Sequence, residues 1–177
     1  LQSEWSTLFR AAIKAEGMAN TDARTSCFYA RRTLELSVAW MYAHDQALRR
    51  PYQDNLSAFI HEPSFKSTVG EALFTKARLI KDLGNLAVHS TKKITTSDAQ
   101  NATRELFHFC YWVARTYGRG ARPNPGQAFN PALLPKPAPS AYAGLCAALS
   151  IDPARALFAD DMARNLAPAK VIGMTTV

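Results

Sequence analysis

The sequence contains few cysteines and no long hydrophobic run. Its three cysteines, Cys27, Cys110 and Cys146, are odd in number, far apart and flanked by apolar residues. This pattern argues against a disulfide framework and predicts reduced, buried thiols in a cytoplasmic protein. The longest apolar stretches, such as residues 145–149, are much too short to cross a bilayer, so we expect no membrane partner.

The chain also begins without a secretory leader or an initiator methionine. Residues 1–5 provide neither the basic region nor the apolar stretch that directs export. We therefore expect a protein that is not exported, either a fragment of a longer chain or a stand-alone relative of one. Its length suits one domain with a core, with or without an appendage, and its hydrophobic content of 47% is typical of globular rather than disordered chains.

Acidic residues are outnumbered by basic ones. The 21 Lys and Arg residues and 14 Asp and Glu residues leave a formal net charge of +7. Such an excess is compatible with a nucleic-acid partner, because neutralising phosphates requires Lys and Arg. The basic residues are spread out, however, and form no dense run interleaved with aromatic residues. Charge alone therefore does not separate a DNA-binding surface from an ordinary one.

Apolar residues recur every three or four positions through the first 118 residues. This spacing predicts helices over residues 3–19, 22–44, 54–60, 68–87 and 97–117. Asp22 is expected to cap the second helix, and Gly118 is a natural residue to follow the last. Long helices with short connections and no alternating strand pattern predict an all-α, antiparallel up-and-down bundle.

Helix boundaries in the second half of the bundle carry their own signals. Thr68 with Glu71, and Ser97 with Gln100, have the spacing of capping boxes that open helices. Gly84 interrupts the helix opened by the first box, where it costs ~1 kcal/mol relative to Ala. We expect close packing against another helix to offset that cost.

The composition changes after residue 118. Most of the prolines fall in residues 119–139, which we assign to a proline-rich linker lying over the bundle (residues 1–118) through the apolar islands Phe129 and Leu133-Leu134. Residues 140–177 are predicted to form a short helical extension. Its helices are expected at residues 140–149 and 153–163, the second capped by Asp152. Residues 167–177 show no helical period.

Three ordered segments carry a family resemblance. They are residues 22–35, residues 51–61 beginning Pro-Tyr-Gln-Asp-Asn-Leu-Ser, and residues 80–90, Ile-Lys-Asp-Leu-Gly-Asn-Leu-Ala-Val-His-Ser. With residues 112–117 and 129–135 they resemble the N-terminal domain of type I restriction endonuclease R subunits, over residues 4 to about 137. The resemblance implies a non-catalytic accessory domain of a bacterial restriction-modification system. Its expected partners are other R-subunit domains and the methyltransferase and specificity subunits.

The family's chemistry belongs to domains that this sequence lacks. In the full-length family, ATP and Mg serve the motor that drives DNA translocation and cleavage. This chain contains no Gly-x-x-x-x-Gly-Lys-Ser/Thr phosphate loop, so we expect no cofactor here. His44 and His108 have no nearby Cys or carboxylate pattern typical of metal sites. His61-Glu62 resembles the start of a zinc-protease motif, but Pro63 follows and no second histidine stands at the required spacing. No metal is therefore expected either.

The domain is also similar to the HEPN group of helical domains, several of which are ribonucleases. The signature of that group is an Arg, usually followed by a polar residue, with about four to six residues between the Arg and a His. Here seven residues separate Lys81 from His89, and Arg78 is farther away. The alternative function is therefore a defence ribonuclease with His89 as acid or base, Lys81 or Arg78 as the phosphate-stabilising cation, and Glu35 orienting the histidine. The departure in spacing makes us favour the accessory domain.

A structural role for the same histidine is the simpler hypothesis. Asn85 and His89 are four residues apart and therefore share a helix face. With Glu35 they are predicted to form a buried polar cluster that locks two helices together.

Arginines are the candidates for non-specific DNA contact, since a guanidinium suits phosphate oxygens. For Arg31 and Arg32 the commoner explanation is a solvated helix face, on which Arg31 pairs with Glu35 at i, i+4. The aromatic stretch at residues 107–112 is predicted to serve the core and an interface with a neighbouring domain rather than to stack bases. The candidate DNA-binding residues are Arg31, Arg32, Arg115, Arg119 and Arg122.

Overall fold

A computed structural model describes residues 4–120, 123–135, 138–159 and 163–177. These residues form two compact units, Leu1–Pro131 and Ala132–Val177. The structure confirms the all-α class, and the linker expected at residues 119–139 is divided between the two units. The elements are α1 Ser6–Met18, α2 Ala23–His44, α3 Leu56–His61, α4 Pro63–His89, α5 Thr96–Tyr117, α6 Pro139–Ala148, β1 Leu157–Phe158, α7 Ala163–Val171 and β2 Thr175–Thr176.

The four long helices of the first unit run alternately up and down. The ring of Trp5, just before α1, meets that of Trp40 near the end of α2, with centroids 5.2 Å apart. At the other end of this pair, the Ser26 hydroxyl of α2 donates to the carbonyl of Ala15, 2.7 Å away. Helices α1 and α2 are therefore antiparallel.

Helix α5 runs parallel to α2, and α4 runs antiparallel to both. Near the start of α2, the hydroxyl oxygens of Ser26 and Thr103 are 3.5 Å apart. At its far end, the Tyr117 hydroxyl donates to Asp45, 2.5 Å away. Helix α2 thus packs against all three other long helices.

The predicted apolar stripe of α2 forms the centre of the core. Cys27, Leu34 and Met41 are fully buried there, together with Ala30 and Val38. Burying each large apolar side chain contributes about 1.5–3 kcal/mol. The Asp22 cap is also confirmed, since its carboxylate accepts from the backbone N–H of residue 25 at 3.0 Å.

The capping box of α5 lies two residues earlier than predicted. Thr95 takes an extended conformation and its hydroxyl accepts from the Asp98 N–H at 3.1 Å, while the Asp98 carboxylate accepts from the Thr95 N–H at 2.9 Å. The assignment to Ser97 and Gln100 was wrong, because this threonine–aspartate pair has equivalent spacing and a carboxylate that holds the first residue's N–H.

Helix α4 also begins earlier than predicted. Pro63 occupies its first turn and the Glu62 carboxylate accepts from the Ser64 N–H, 2.6 Å away. Gly70 then interrupts the helical backbone with φ +78° and ψ +165°. The segment thus consists of two helical stretches that meet at Gly70: the first is opened by Pro63, which is pre-organised for that position and was missed, and the second begins close to the predicted start at Thr68.

The second unit contains less helix at its centre than predicted. Helix α6 occupies the expected segment, but the predicted helix from residue 153 is only the 3-10 turn Pro153–Arg155, followed by β1, which pairs in parallel with β2. Helix α7 forms instead at residues 163–171, where Pro168 weakens the helical signal. The unit's own small core consists of Tyr142, Cys146, Ala169 and Met174.

All three cysteines are free and buried. Burial raises the pKa of the Cys27 thiol to about 11 and that of the Cys110 thiol to about 12, so neither forms a reactive thiolate near neutral pH. Throughout the described part of the chain, no cluster of side chains suits a metal ion. Nor does any helix there combine the length and apolarity needed to cross a membrane.

Candidate functional site: the α1–α5 groove and the outer face of α5

The predicted buried cluster of Glu35, Asn85 and His89 is not assembled. The Glu35 carboxylate instead pairs within α2, with Arg31 at 3.2 Å and Arg32 at 3.4 Å. His89, the last residue of α4, is exposed. Within the described residues neither it nor Asn85 has a side-chain hydrogen bond. The prediction failed because arginines one turn away on the same helix engage the carboxylate.

The residues of the ribonuclease alternative are equally dispersed. The ammonium group of Lys81 is 3.0 Å from Asp82, its sequence neighbour. The guanidinium of Arg78 lies over the ring of Phe74, 5.7 Å from its centroid. Neither cation is hydrogen-bonded to His89 among the described residues. This geometry provides no oriented acid or base beside a phosphate-binding cation.

The end of α4 is held instead by Arg24, which the sequence analysis did not single out. Its guanidinium donates to four backbone carbonyls, those of Leu86 at 3.1 Å, Ala87 at 2.8 Å, Ser90 at 2.7 Å and Lys92 at 2.6 Å. A helix C-terminus leaves such carbonyls unpaired, and a cation there also complements the helix dipole. Arg24 is therefore a C-terminal cap supplied by another helix.

Replacing Arg24 with Ala is expected to lower the free energy of unfolding by about 2 kcal/mol, because charged hydrogen bonds are lost and partly buried carbonyls remain unpaired. Urea unfolding followed by circular dichroism measures the change. The matched control is Arg10→Ala, since Arg10 is exposed and has no hydrogen bond or ion pair among the described residues. Equal, small effects of the two substitutions would contradict the cap.

The arginines proposed for DNA contact fall into two separate groups. Arg31 and Arg32 lie on α2 and share one carboxylate. Arg115 lies at the end of α5, where its guanidinium meets the Tyr111 hydroxyl at 3.3 Å, and Arg119 follows that helix. Arg122 lies outside the described residues. The four arginines that the structure describes therefore lie in two groups, one on α2 and one at the end of α5.

A charged cluster joins α4 and α5. The Glu105 carboxylate, whose side chain is 9% exposed, accepts from the Lys76 ammonium, from Arg104 Nε at 2.9 Å and from His108 Nδ1 at 3.2 Å. Burial raises the pKa of Glu105, but the three hydrogen bonds outweigh it and lower that pKa to about 2. The carboxylate therefore stays ionised and fixes the three basic groups around it. Only the tertiary structure brings Lys76 to this cluster.

A groove runs between α1 and α5. At one end lies a concavity of about 350 Å³, lined by Glu4, Trp5 and residues of α5. Two further concavities, of about 260 and 250 Å³, share Glu4 and Trp5 with it but are lined on their other side by Trp40 of α2. A fourth, of about 110 Å³, shares two α5 residues with the largest. We call the surface formed by the first and fourth concavities the α1–α5 groove. Its principal lining residues are Phe9, Ile13 and Glu16 from α1 and Phe107, Cys110 and Tyr111 from α5.

The arm after α5 contacts α5 at the predicted apolar island Phe129, whereas the second predicted island, Leu133-Leu134, belongs to the other unit, and Leu133 is 80% exposed. The ring of Phe129 lies 5.8 Å from that of Phe107. The Tyr111 hydroxyl donates to the carbonyl of Asn124, 2.8 Å away. The aromatic stretch of α5 thus serves the core on one side and this arm and groove on the other, and Ile13, 49% exposed, remains open on the α1 side.

Carboxylates lie at the two ends of the groove. The Glu4 carboxylate accepts from the backbone N–H groups of Arg119, at 3.0 Å, and Gly120, at 2.7 Å, and so ties the end of α5 to the start of α1. Glu16 has no ion pair or side-chain hydrogen bond among the described residues. Although part of its side chain is exposed, burial of the remainder raises the pKa of its carboxyl group. A cation beside Glu16 would relieve this cost.

Comparison with known proteins gives a family but no relative. A family model described as a domain of unknown function (DUF4145) matches residues 14–130. Because the match covers more than half of the chain, the protein belongs to this family. No curated protein and no solved structure matches it. The matched segment includes all of α2–α5 and the last residues of α1. It therefore contains the charged cluster and the α5 side of the groove, whereas Glu4, Phe9 and Ile13 precede it.

Proposed function

We propose that this member of the DUF4145 family is the non-catalytic accessory domain of a type I restriction R subunit, acting in the cytoplasm. It docks on other R-subunit domains or on the methyltransferase and specificity subunits, and it contacts DNA without sequence preference. The observation that carries the proposal is the open α1–α5 groove with an unpaired carboxylate at one end. ATP, Mg and DNA cleavage belong to other domains of the complex.

The composition of the groove favours a protein occupant. The lining of its two concavities is mostly apolar and aromatic, and such surfaces on a folded domain mark partner sites. The unpaired Glu16 favours a partner segment that places a Lys or Arg beside it, because a cation would stabilise the partly buried carboxylate. The occupant we propose is an apolar segment with a basic flank from a neighbouring domain of the complex.

The ordered sequence resemblance supports the choice of complex. Its segments include residues 22–35 on α2 and residues 80–90 at the end of α4, which meet where Arg24 caps α4. The dispersal of His89, Lys81 and Arg78 supports a non-catalytic role, because acid–base catalysis requires these groups within hydrogen-bonding reach of one substrate.

Binding to purified components tests the docking proposal. The intact chain is titrated, by calorimetry, with the motor domains and separately with the methyltransferase–specificity core of a type I enzyme from the same cell. We expect the wild type to bind one of them. Ile13→Glu, which places a charge in the groove beside Glu16, is expected to weaken that binding at least tenfold.

Val88→Glu is the matched control, because Val88 is 44% exposed and lies on α4 outside the residues that line the groove. It should bind like the wild type. Absence of binding to both components, or equal loss in the two variants, would contradict the proposal.

A cleavage assay distinguishes the alternative. The wild type and His89→Ala are incubated with labelled RNA and with duplex DNA and are resolved on denaturing gels. We expect intact nucleic acid in every lane. RNA cleavage by the wild type that is lost in His89→Ala would instead establish the ribonuclease.

A further inference from the structure

We propose that the outer face of α5 is a binding track for the phosphate backbone of duplex DNA. The residues of this α5 track are Arg104, His108 and Arg115, joined by Lys76 from α4. The proposal deepens the DNA contact of the proposed function by naming its surface, and it moves that contact away from the arginines of α2. None of its cations lines the α1–α5 groove, although Tyr111, which supports Arg115, borders both surfaces.

The helical period places the track on one side of α5. Arg104, His108, Tyr111 and Arg115 follow one another at intervals of four, three and four residues, so they share one face. At 1.5 Å per residue the two arginines stand about 16 Å apart along the axis. The Arg104 side chain is 48% exposed and that of His108 39%. The face is therefore accessible to a long polyanion.

The charged cluster pre-organises one end of the track. Besides the Lys76 ammonium, the Glu105 carboxylate accepts from one nitrogen of each neighbour on α5, Nε of Arg104 and Nδ1 of His108. Within the described residues, the terminal guanidinium nitrogens of Arg104 and Nε2 of His108 have no partner. One buried carboxylate thus holds three basic side chains in place, with the donors of Lys76 and Arg104 left for a ligand. Pre-ordered side chains lose less entropy on binding.

Tyr111 supports the other end of the track. The Arg115 guanidinium carbon is 5.9 Å from the centroid of the Tyr111 ring, and one of its nitrogens meets the tyrosine hydroxyl at 3.3 Å. The tyrosine itself is anchored to the arm by its hydroxyl. Arg115 is therefore held on an aromatic ring while most of its donors have no partner among the described residues.

The positions of the carboxylates, rather than the net charges of the helices, distinguish the α5 track from the arginines of α2: α2 carries three arginines and one glutamate, and α5 two arginines and two acidic residues. The sequence of α5 contains two acidic residues, of which Asp98 closes the capping box and Glu105 is buried beneath the cluster. The cations of the track, Lys76 among them, therefore exceed its carboxylates by two, and by three when His108 is protonated. On α2, by contrast, Glu35 lies between Arg31 and Arg32 and is itself partly exposed.

Phosphate is the ligand that this chemistry suits best. A guanidinium offers a planar fork of donors that matches phosphate oxygens, and lysine adds a point charge. A row of such groups on one helix face meets successive phosphates without contacting base edges, which gives sequence-independent affinity. The expected ligand is accordingly the DNA backbone rather than a particular base sequence.

Fluorescence anisotropy with labelled duplex DNA of arbitrary sequence tests the track. We expect the intact chain to bind with a Kd on the order of 10⁻⁴–10⁻⁶ M near physiological salt. The double variant Arg104→Gln/Arg115→Gln should bind about tenfold or more weakly. Its log–log salt slope should fall by about two, one for each phosphate contact removed. Unchanged thermal unfolding of the variant would show that the loss is not a folding defect.

Arg32→Gln is the matched control, because Arg32 is 52% exposed and also paired with a glutamate. It is expected to change the affinity less than about twofold. Equal weakening by Arg32→Gln, no change in the double variant, or no binding by the wild type would each overturn the track.

Two further probes fix the ligand. Polyglutamate of matched charge should compete poorly, because it lacks phosphate, and equal competition would overturn the phosphate assignment. Duplex RNA that binds with the same affinity as DNA, and with the same dependence on Arg104 and Arg115, would support a general phosphate-backbone track. Binding of RNA without any binding of DNA would overturn the DNA assignment. The calorimetric docking assay on the same double variant should give the wild-type result, so the two proposals can fail independently.

Discussion

Replacing Glu105 with Gln is expected to lower the free energy of unfolding by about 2 kcal/mol at neutral pH and to remove this carboxyl's share of the stability that is lost between about pH 4.5 and pH 2. The folded-state pKa of this carboxyl is about 2, against an ordinary value of 4.5. A depressed pKa contributes stability that is fully present above the ordinary value and is lost as the pH falls towards the folded value. The conversion of ~1.4 kcal/mol per pKa unit gives roughly 3 kcal/mol, which solvent screening of the partly exposed cations reduces.

Urea unfolding at a series of pH values between about 7 and 2 measures this effect. The wild-type and Glu105→Gln stabilities should differ most at neutral pH, and the difference should shrink below about pH 4.5 and vanish only as the pH falls to about 2, where the carboxyl of the folded wild type is also protonated. Glu71→Gln is the control: Glu71 is 69% exposed and pairs with Lys66, so its replacement should cost less than about 0.5 kcal/mol at neutral pH. Parallel wild-type and Glu105→Gln curves over the whole range would show that the cluster does not stabilise the fold.

Gly84→Ala is expected to destabilise the protein by about 1–3 kcal/mol, although alanine favours helix by ~1 kcal/mol. A Cβ at Gly84 would stand 2.3 Å from Cβ of Arg31 and 2.7 Å from its Cδ. The Cβ of Arg31 cannot swing away as the end of a flexible side chain does, so α2 and α4 must separate. The sequence-based expectation of close helix packing at this glycine is confirmed by the same contact.

Gly17→Ala provides the opposite result for comparison. Gly17 lies in α1, and a Cβ there would meet nothing within 4 Å. Helix propensity then acts alone, so this substitution should stabilise the protein by up to about 1 kcal/mol. Thermal or urea unfolding of both variants gives the contrast. Stabilisation by Gly84→Ala as well would mean that the two helices tolerate a wider spacing.

Local patterns predicted the helices that have strong local signals. The stripe from Cys27 to Met41 repeats at helical spacing, and burial of that face makes α2 the central helix. The Asp22 cap required only neighbouring residues. Helix boundaries were predicted wrongly where two capping signals compete, as at the start of α5. Helix α7 was missed because Pro168 weakens its helical pattern. The family assignment likewise follows from the linear sequence.

Partnerships between distant residues required the folded chain. Arg24 caps carbonyls more than 60 positions away in the sequence, and Lys76 on α4 pairs with Glu105 on the neighbouring helix α5. Which face of each helix meets which neighbour depends on its rotation and axial position, and the period of a single helix does not encode either. For the same reason His89 is exposed rather than clustered, and a groove opens between α1 and α5. Periodicity in the sequence was sufficient for an all-α bundle, whereas its sites arise from the register between helices.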